Sequence, residues 1–117
     1  MAKIRAIALY PHPKDPKAFE KAYFEEHMPM AFQNLKGTTK IFLAKFQGRP
    51  GEPPPFYRIA ELHFPSQEAL DACMGTEGAM RTAQHAVQLS TGGPTIFLFA
   101  EEIEEYEFDS AGRPVKL

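Results

Sequence analysis

The stretch Tyr10–Met30, YPHPKDPKAFEKAYFEEHMPM, decides how this chain is read. It closes a first strand, turns through prolines and opens a helix. Asp15 suits the N-cap, because its carboxylate accepts the free amide hydrogens of the first turn. Pro16 follows at the first helical position, where a missing N–H costs nothing. Phe19, Tyr23, His27 and Met30 then recur at four, four and three residues, which places them on one helical stripe. Pro29 cannot continue the hydrogen-bond ladder and disfavours helical geometry at Met28. The expectation is a helix from about Pro16 to Met28 that ends or kinks around His27, leaving that imidazole near a helix C-terminus.

Outward from this stretch, the chain alternates strand and helix patterns. Lys3–Tyr10 alternates in parity, with Ile4, Ala6, Ala8 and Tyr10 on one face and Arg5, Ile7 and Leu9 on the other. Met30–Leu35 adds an irregular helical turn before Gly37. Thr38–Phe46, rich in β-branched and aromatic residues, reads as a second strand and Phe56–Phe64 as a third. Between them QGRPGEPPP is turn chemistry throughout, a hairpin loop with a polyproline end. Ser66 caps a second helical region that Gly75 and Gly78 interrupt, with Gly75 or Thr76 able to cap a fresh piece through Val87. Gly92-Gly93-Pro94 ends it, and Thr95–Glu101 is a fourth strand.

Strand, helix, strand, strand, helix, strand is the order of a ferredoxin-like α+β fold, βαββαβ with an antiparallel four-stranded sheet. Helices can cover only one face of such a sheet. Both faces carry large apolar groups, Phe42 and Phe46 against Ile41 and Leu43, Phe97 and Phe99 against Ile96 and Leu98, which argues for burial on both sides. A second copy of the chain is the obvious cover, so a homodimer is expected. Residues 1–102 form the domain and 103–117 an acidic extension, in which Ile103, Tyr106 and Phe108 can stagger against a sheet edge or a partner chain.

The order of several segments is similar to that of the EthD family of small proteins. They are a strand ending in Tyr10-Pro11, the Asp15-Pro16-x-x-Phe19 helix, Tyr23-Phe24-x-x-His27-x-Pro29, the run PPPFYRIAELHF (53–64), SQEAL (66–70) and STGGPTIFLF (90–99). The resemblance runs from about Ile4 to Glu102. It implies a ferredoxin-like domain that dimerises into an α+β barrel, and it leaves the reaction open.

Composition narrows the class of function. The 117 residues suit one domain with a modest core. A net charge of −2 offers no basic excess for phosphates, so nucleic acid is not an expected partner. The opening MAKIRAIALY is too short for a signal peptide or a membrane span. The single cysteine, Cys73, falls in an apolar helical pattern and reads as a buried small hydrophobe; with no internal disulfide available, a reducing cytoplasm is the simplest home.

His27 leads the candidates for chemistry, since an imidazole titrates near neutrality and can serve as acid, base or ligand. A helix C-terminus would favour its protonated form and burial would oppose it. The alternative is a histidine capping its own helix by donating to a carbonyl freed by Pro29. On the third strand Tyr57, Ile59, Glu61 and His63 share one parity, with Glu61 and His63 roughly 6.5 to 7 Å apart, so that a ligand or water can bridge them. The alternative there is an interface network or a solvent-facing edge. Tyr10 and Tyr23 can point hydroxyls into a pocket or be core aromatics with one wet end. His12 reads as exposed and His85 as a surface or capping residue. No HxxxH or HxH spacing, GxGxxG, P-loop or serine elbow is present, so no metal and no cofactor are expected.

The resulting expectation is a cytoplasmic, EthD-like homodimer that binds a small hydrophobic, oxygenated molecule in a cavity between helices and sheet. If it is catalytic, the chemistry is cofactor-independent. His27 is then the proton-moving residue, with Tyr10, Tyr23, Tyr57, Glu61 and His63 around the substrate. A non-catalytic carrier or sensor of apolar metabolites is the second reading. A haem protein is the third, because some dimeric barrels bind haem and His27 or His63 could ligate iron.

Overall fold

Strand parity along Ile4–Tyr10 (β1) places Ile4, Ala8 and Tyr10 in the interior. The computed structural model describes residues 2–116. After β1 come α1 (Pro16–Ala22), a π-helical turn (Tyr23–His27) and α2 (Met28–Asn34), which run on without a break. Then follow β2 (Lys40–Lys45), β3 (Arg58–Phe64), α3 (Gln67–Met74), α4 (Glu77–Leu89) and β4 (Ile96–Glu101). The sheet order is β2-β3-β1-β4 and every neighbouring pair is antiparallel, the ferredoxin-like arrangement expected from the element order.

α1, α3 and α4 each begin at a side-chain cap. The side chains of Asp15, Ser66 and Thr76 accept from the amides of Ala18, Ala69 and Ala79, three residues on. Of the end or kink that Pro29 implies around His27, the end does not occur: the helix runs on through a π turn there. The Met28 amide donates to the Tyr23 carbonyl, five residues back instead of four. That wider turn separates the Pro29 ring from the carbonyl it would otherwise crowd. Pro29 then stands in the opening turn of α2, where no N–H is needed. The helix instead stops at Leu35, and Gly37, with φ +90°, turns the chain toward β2.

Register fixes which residues face the helices. Ala8 pairs with Ala60 and with Phe97, and Ala6 with Leu62 and Phe99, so one row of β3, β1 and β4 meets the helices with small residues at its centre. Ile4, Phe64, Leu70, Cys73 and Ala79 form one buried cluster, which includes the cysteine. Tyr10, Phe19, Tyr23, Met28, Tyr57 and Ala86 belong to the other. The opposite sheet face carries Ile7, Leu9, Phe42, Ile59, Ile96 and Leu98 with no helix over it; Phe42, Ile96 and Leu98 are exposed. Within it Arg5 reaches both Glu61 and Glu102, each at 3.3 Å.

Two turns close on each other beside β1. A Cβ at Gly92 would meet the His12 carbonyl oxygen at 1.6 Å, so only glycine fits there. The Lys14 amide donates to Thr91 Oγ1 at 2.9 Å in the same place.

Beyond β4, residues 103–116 do not lie against an edge of the main sheet. Tyr106–Phe108 (β5) pairs antiparallel with Pro114–Lys116 (β6) as a separate hairpin. Asp109 organises its turn by accepting from the amides of Ala111 and Arg113. The radius of gyration is 16.1 Å, against about 13 Å for a compact chain of this length, consistent with an arm that projects. Among the described residues no helix is long and apolar enough to cross a membrane.

Phe64 is among the largest fully buried side chains. Phe64→Ala is expected to lower unfolding stability by about 3–5 kcal/mol, measured by urea denaturation at pH 7.5.

Candidate functional site

A cavity of about 210 Å³ lies between the sheet and the helices. Its existence follows from side-chain size. Ala6, Ala8 and Ala60 line its floor, while Ala31, Ala79, Ala83 and Ala86 face them from α2 and α4. Packed side chains of ordinary size would fill such a space to near-crystal density; alanines on both walls cannot. Phe97 and Phe99 of the edge strand β4, both partly open to solvent, form its rim.

Among the described residues, four that line the cavity carry polar side-chain atoms: Tyr10, Tyr23, His27 and Thr82. Thr82 Oγ1 already donates to the Gly78 carbonyl at 2.8 Å and receives from the Asn34 amide at 3.4 Å. The Tyr10 and Tyr23 rings meet edge to face at 5.6 Å. Burial raises both phenol pKa values, Tyr23 to about 12, so both hydroxyls keep their protons at neutral pH. The Arg58 guanidinium, 4.5 Å from the Tyr23 ring centre, acts in the opposite sense on both.

His27 is 6% exposed, at the end of the π-helical turn, beside Tyr23 with ring centres 5.3 Å apart. It does not cap its own helix. Its Nδ1 lies 2.9 Å from Nδ1 of His85 on α4, with the two ring planes within 10° of parallel. Burial, followed by the adjacent His85, lowers its pKa to about 4. The anticipated C-terminal dipole is absent because the helix continues, and desolvation prevails. With Nδ1 committed to His85, Nε2 is the nitrogen left for a cavity ligand.

The residues anticipated from β3 lie elsewhere. Tyr57 precedes the strand and turns toward α1, where its hydroxyl donates to Glu20 Oε1 at 3.0 Å and its ring meets Phe19 edge to face. Glu61 and His63 project from the uncovered sheet face, Glu61 paired with Arg5 and His63 packed against Phe42. Of the sequence candidates the cavity therefore assembles Tyr10, Tyr23 and His27. His85, taken from sequence as a surface or capping residue, is half-buried and bound to His27. Its spacing of three from Thr82, on the buried stripe Ala79, Thr82, Ala86, was the available signal. His12 is exposed, as expected, with Nε2 2.7 Å from the Pro54 carbonyl. Among the described residues no cluster of three or more His, Cys, Asp or Glu side chains is placed to hold a metal ion.

No protein-family model matches the chain. A curated relative, an uncharacterized 11.0 kDa protein encoded in the thcB-thcC intergenic region of Rhodococcus erythropolis, is 28% identical over 98 residues, 84% of this chain and 94% of that protein. An EthD family protein from Bacillus halodurans superposes with a TM-score of 0.77 at 26% identity, covering 88% of this chain and all of that one. A dimeric ferredoxin-like protein of unknown function from Jannaschia sp. superposes with a TM-score of 0.61 at 14% identity, over 87% of this chain and all of that one.

A histidine whose pKa is depressed on folding makes stability depend on pH in one direction. Between about pH 6.5 and 4 the unfolded chain binds a proton that folded His27 refuses. Its contribution is therefore full above pH 6.5 and lost as pH falls toward 4. From pH 7 to pH 5 the wild type should lose about 2 kcal/mol more than His27→Asn, read from urea unfolding at the two pH values.

Proposed function

We propose, taking as premise that the chain is EthD-like in sequence and fold, that it binds one small, uncharged, mainly apolar molecule bearing an oxygen in the helix–sheet cavity. The observation that carries this reading is an alanine-walled space into which two protonated phenols and one neutral imidazole converge. A cavity of about 210 Å³ exceeds the ~150 Å³ that admits benzene, so a single ring with a short substituent is the right scale. Among the described residues no charged side chain lines the cavity. A carboxylate or ammonium guest would lose its hydration without a counter-charge. A carbonyl, ether or hydroxyl oxygen needs only a donor, which the Tyr10 and Tyr23 hydroxyls supply.

If the bound molecule is transformed, His27 is the residue that moves the proton. An imidazole neutral at pH 7 can take a proton from a carbon or hydroxyl beside a carbonyl, while a tyrosine hydroxyl stabilises the oxygen that gains charge. This chemistry uses no cofactor. The same geometry also serves a carrier or sensor that binds without turnover, and product formation from a bound guest separates the two.

We further propose that the working form is a cytoplasmic homodimer. The uncovered sheet face is apolar over Ile7, Leu9, Phe42, Ile59, Ile96 and Leu98 and is read as the contact with a second copy; the dimeric Jannaschia neighbour supports this. The extension after residue 102 is read as an arm onto the partner. Ile103 is 90% exposed, with Tyr106 and Phe108 also exposed, and an isolated short hairpin is marginal in water. Light scattering is expected to give twice the chain mass at micromolar concentration. A chain ending at Glu102 should dimerise more weakly; an unchanged dimer would leave the arm without that role.

The ligand reading is tested by ligand-observed NMR with acetophenone and its deoxygenated counterpart ethylbenzene. Acetophenone should bind at least about tenfold more tightly, equivalent to roughly 1.4 kcal/mol. Replacing both hydroxyl donors together, Tyr10→Phe with Tyr23→Phe, should erase most of that difference with the fold intact. Ala86→Leu should abolish binding of both compounds by filling the space. Equal affinities for the pair would remove the role of the polar groups.

A further inference from the structure

We propose that His85 is the solvent-side half of a two-histidine proton relay whose cavity-side half is His27. Two observations carry it. The two Nδ1 atoms are 2.9 Å apart, which requires one proton between them, since two bare lone pairs or two N–H groups at that distance repel. The rings also differ in exposure: His27 is buried on the cavity wall, whereas His85 is half-buried on α4 and so in reach of water.

This pairing differs from the usual one. A histidine oriented by a carboxylate or a backbone carbonyl is held in one tautomer, because its orienting partner can only accept. Here the partner is another imidazole, which can accept or donate. No carboxylate is hydrogen-bonded to either ring among the described residues. The tautomers of the two rings are therefore locked to each other, and neither is fixed.

In one state His27 carries its proton on Nδ1 and donates it to His85, whose own proton is on Nε2. The Nε2 of His27 is then bare and basic toward the cavity. When it takes a proton from a guest, the Nδ1 proton crosses to His85, and His85 releases its Nε2 proton to water. One proton has passed from guest to solvent, both rings are again neutral, and His27 now presents Nε2–H as a donor. The reverse sequence returns a proton to the guest and draws one from water into His85 Nε2. The pair thus suits a transformation in which one proton leaves a guest and one comes back. That use rests on the cavity reading above; the relay itself is a property of the empty protein.

The test is made on ligand-free protein with ¹⁵N-labelled histidine. The expected spectrum shows scalar coupling between the two Nδ1 nuclei across a shared proton. The ring proton of His27 should exchange with water measurably in the wild type and at least about tenfold more slowly in His85→Phe, which keeps the bulk of the ring. His85→Gln provides the second variant should phenylalanine disturb folding, with the backbone amide spectrum as the control for both. Absence of Nδ1–Nδ1 coupling would overturn the relay, as would exchange that is unchanged or faster in either folded variant. Because no guest is present, these results are independent of whether the cavity accepts an oxygenated molecule.

Discussion

Alanine facing alanine across the sheet and α4 is the constraint on which the site depends. Ala8 and Ala60 are register partners on adjacent strands, and Ala86 stands over the same space from the helix. Larger residues at these positions would close the gap and seal Tyr10, Tyr23 and His27 into an ordinary core. The surrounding packing prevents collapse. Phe64 and Leu70 anchor one end of the sandwich, and the aromatic group of Tyr10, Phe19, Tyr23 and Tyr57 anchors the other. The cavity is thus a consequence of where bulk is placed, and its chemistry of which polar atoms border the remaining space.

Those atoms are kept uncharged by the same burial that makes them accessible to a guest. Desolvation raises the phenols and lowers the imidazole, so at pH 7 the cavity offers two O–H donors and one neutral base. Arg58 modulates this from outside the cavity. It is buried, bonded to Glu20 at 2.5 Å and set against the rings of Tyr23 and Phe24. Its charge opposes the burial effect on the tyrosines and makes them stronger donors than burial alone would leave them. The π-helical turn contributes by position: it lets the helix pass Pro29 and sets His27 against α4.

Much of the fold was legible because it is encoded locally. Asp15 and Ser66 cap the helices they were expected to cap, Thr76 rather than Gly75 caps α4, and strand parity sorted Ile41 and Leu43 from Phe42. The departures are non-local or balanced. The Pro29 signal was read correctly as a conflict, but its resolution by a π turn depends on the burial of Met28 and Ala31 downstream, which keeps the helix going. The pairing of His85 was not legible because its partner lies 58 residues away in the chain, and its place beside the buried stripe of α4 signals burial but no partner. Tyr57 was misplaced by parity, since β3 begins one residue later and Tyr57 belongs to the turn over α1. The hairpin of the extension was missed although Asp109, and Gly112 at φ +78°, form a recognisable turn.

The central claim is that an oxygen-bearing guest sits between helices and sheet with its oxygen at the tyrosine–histidine end. A crystal structure of the protein with bound acetophenone tests it most directly. The account predicts the ring against Ala8, Ala60 and Ala86 and the carbonyl oxygen within about 3.2 Å of the Tyr10 or Tyr23 hydroxyl. A guest seated on the open sheet face near Glu61 and His63, or one whose oxygen points to the Phe97 and Phe99 rim, would contradict it.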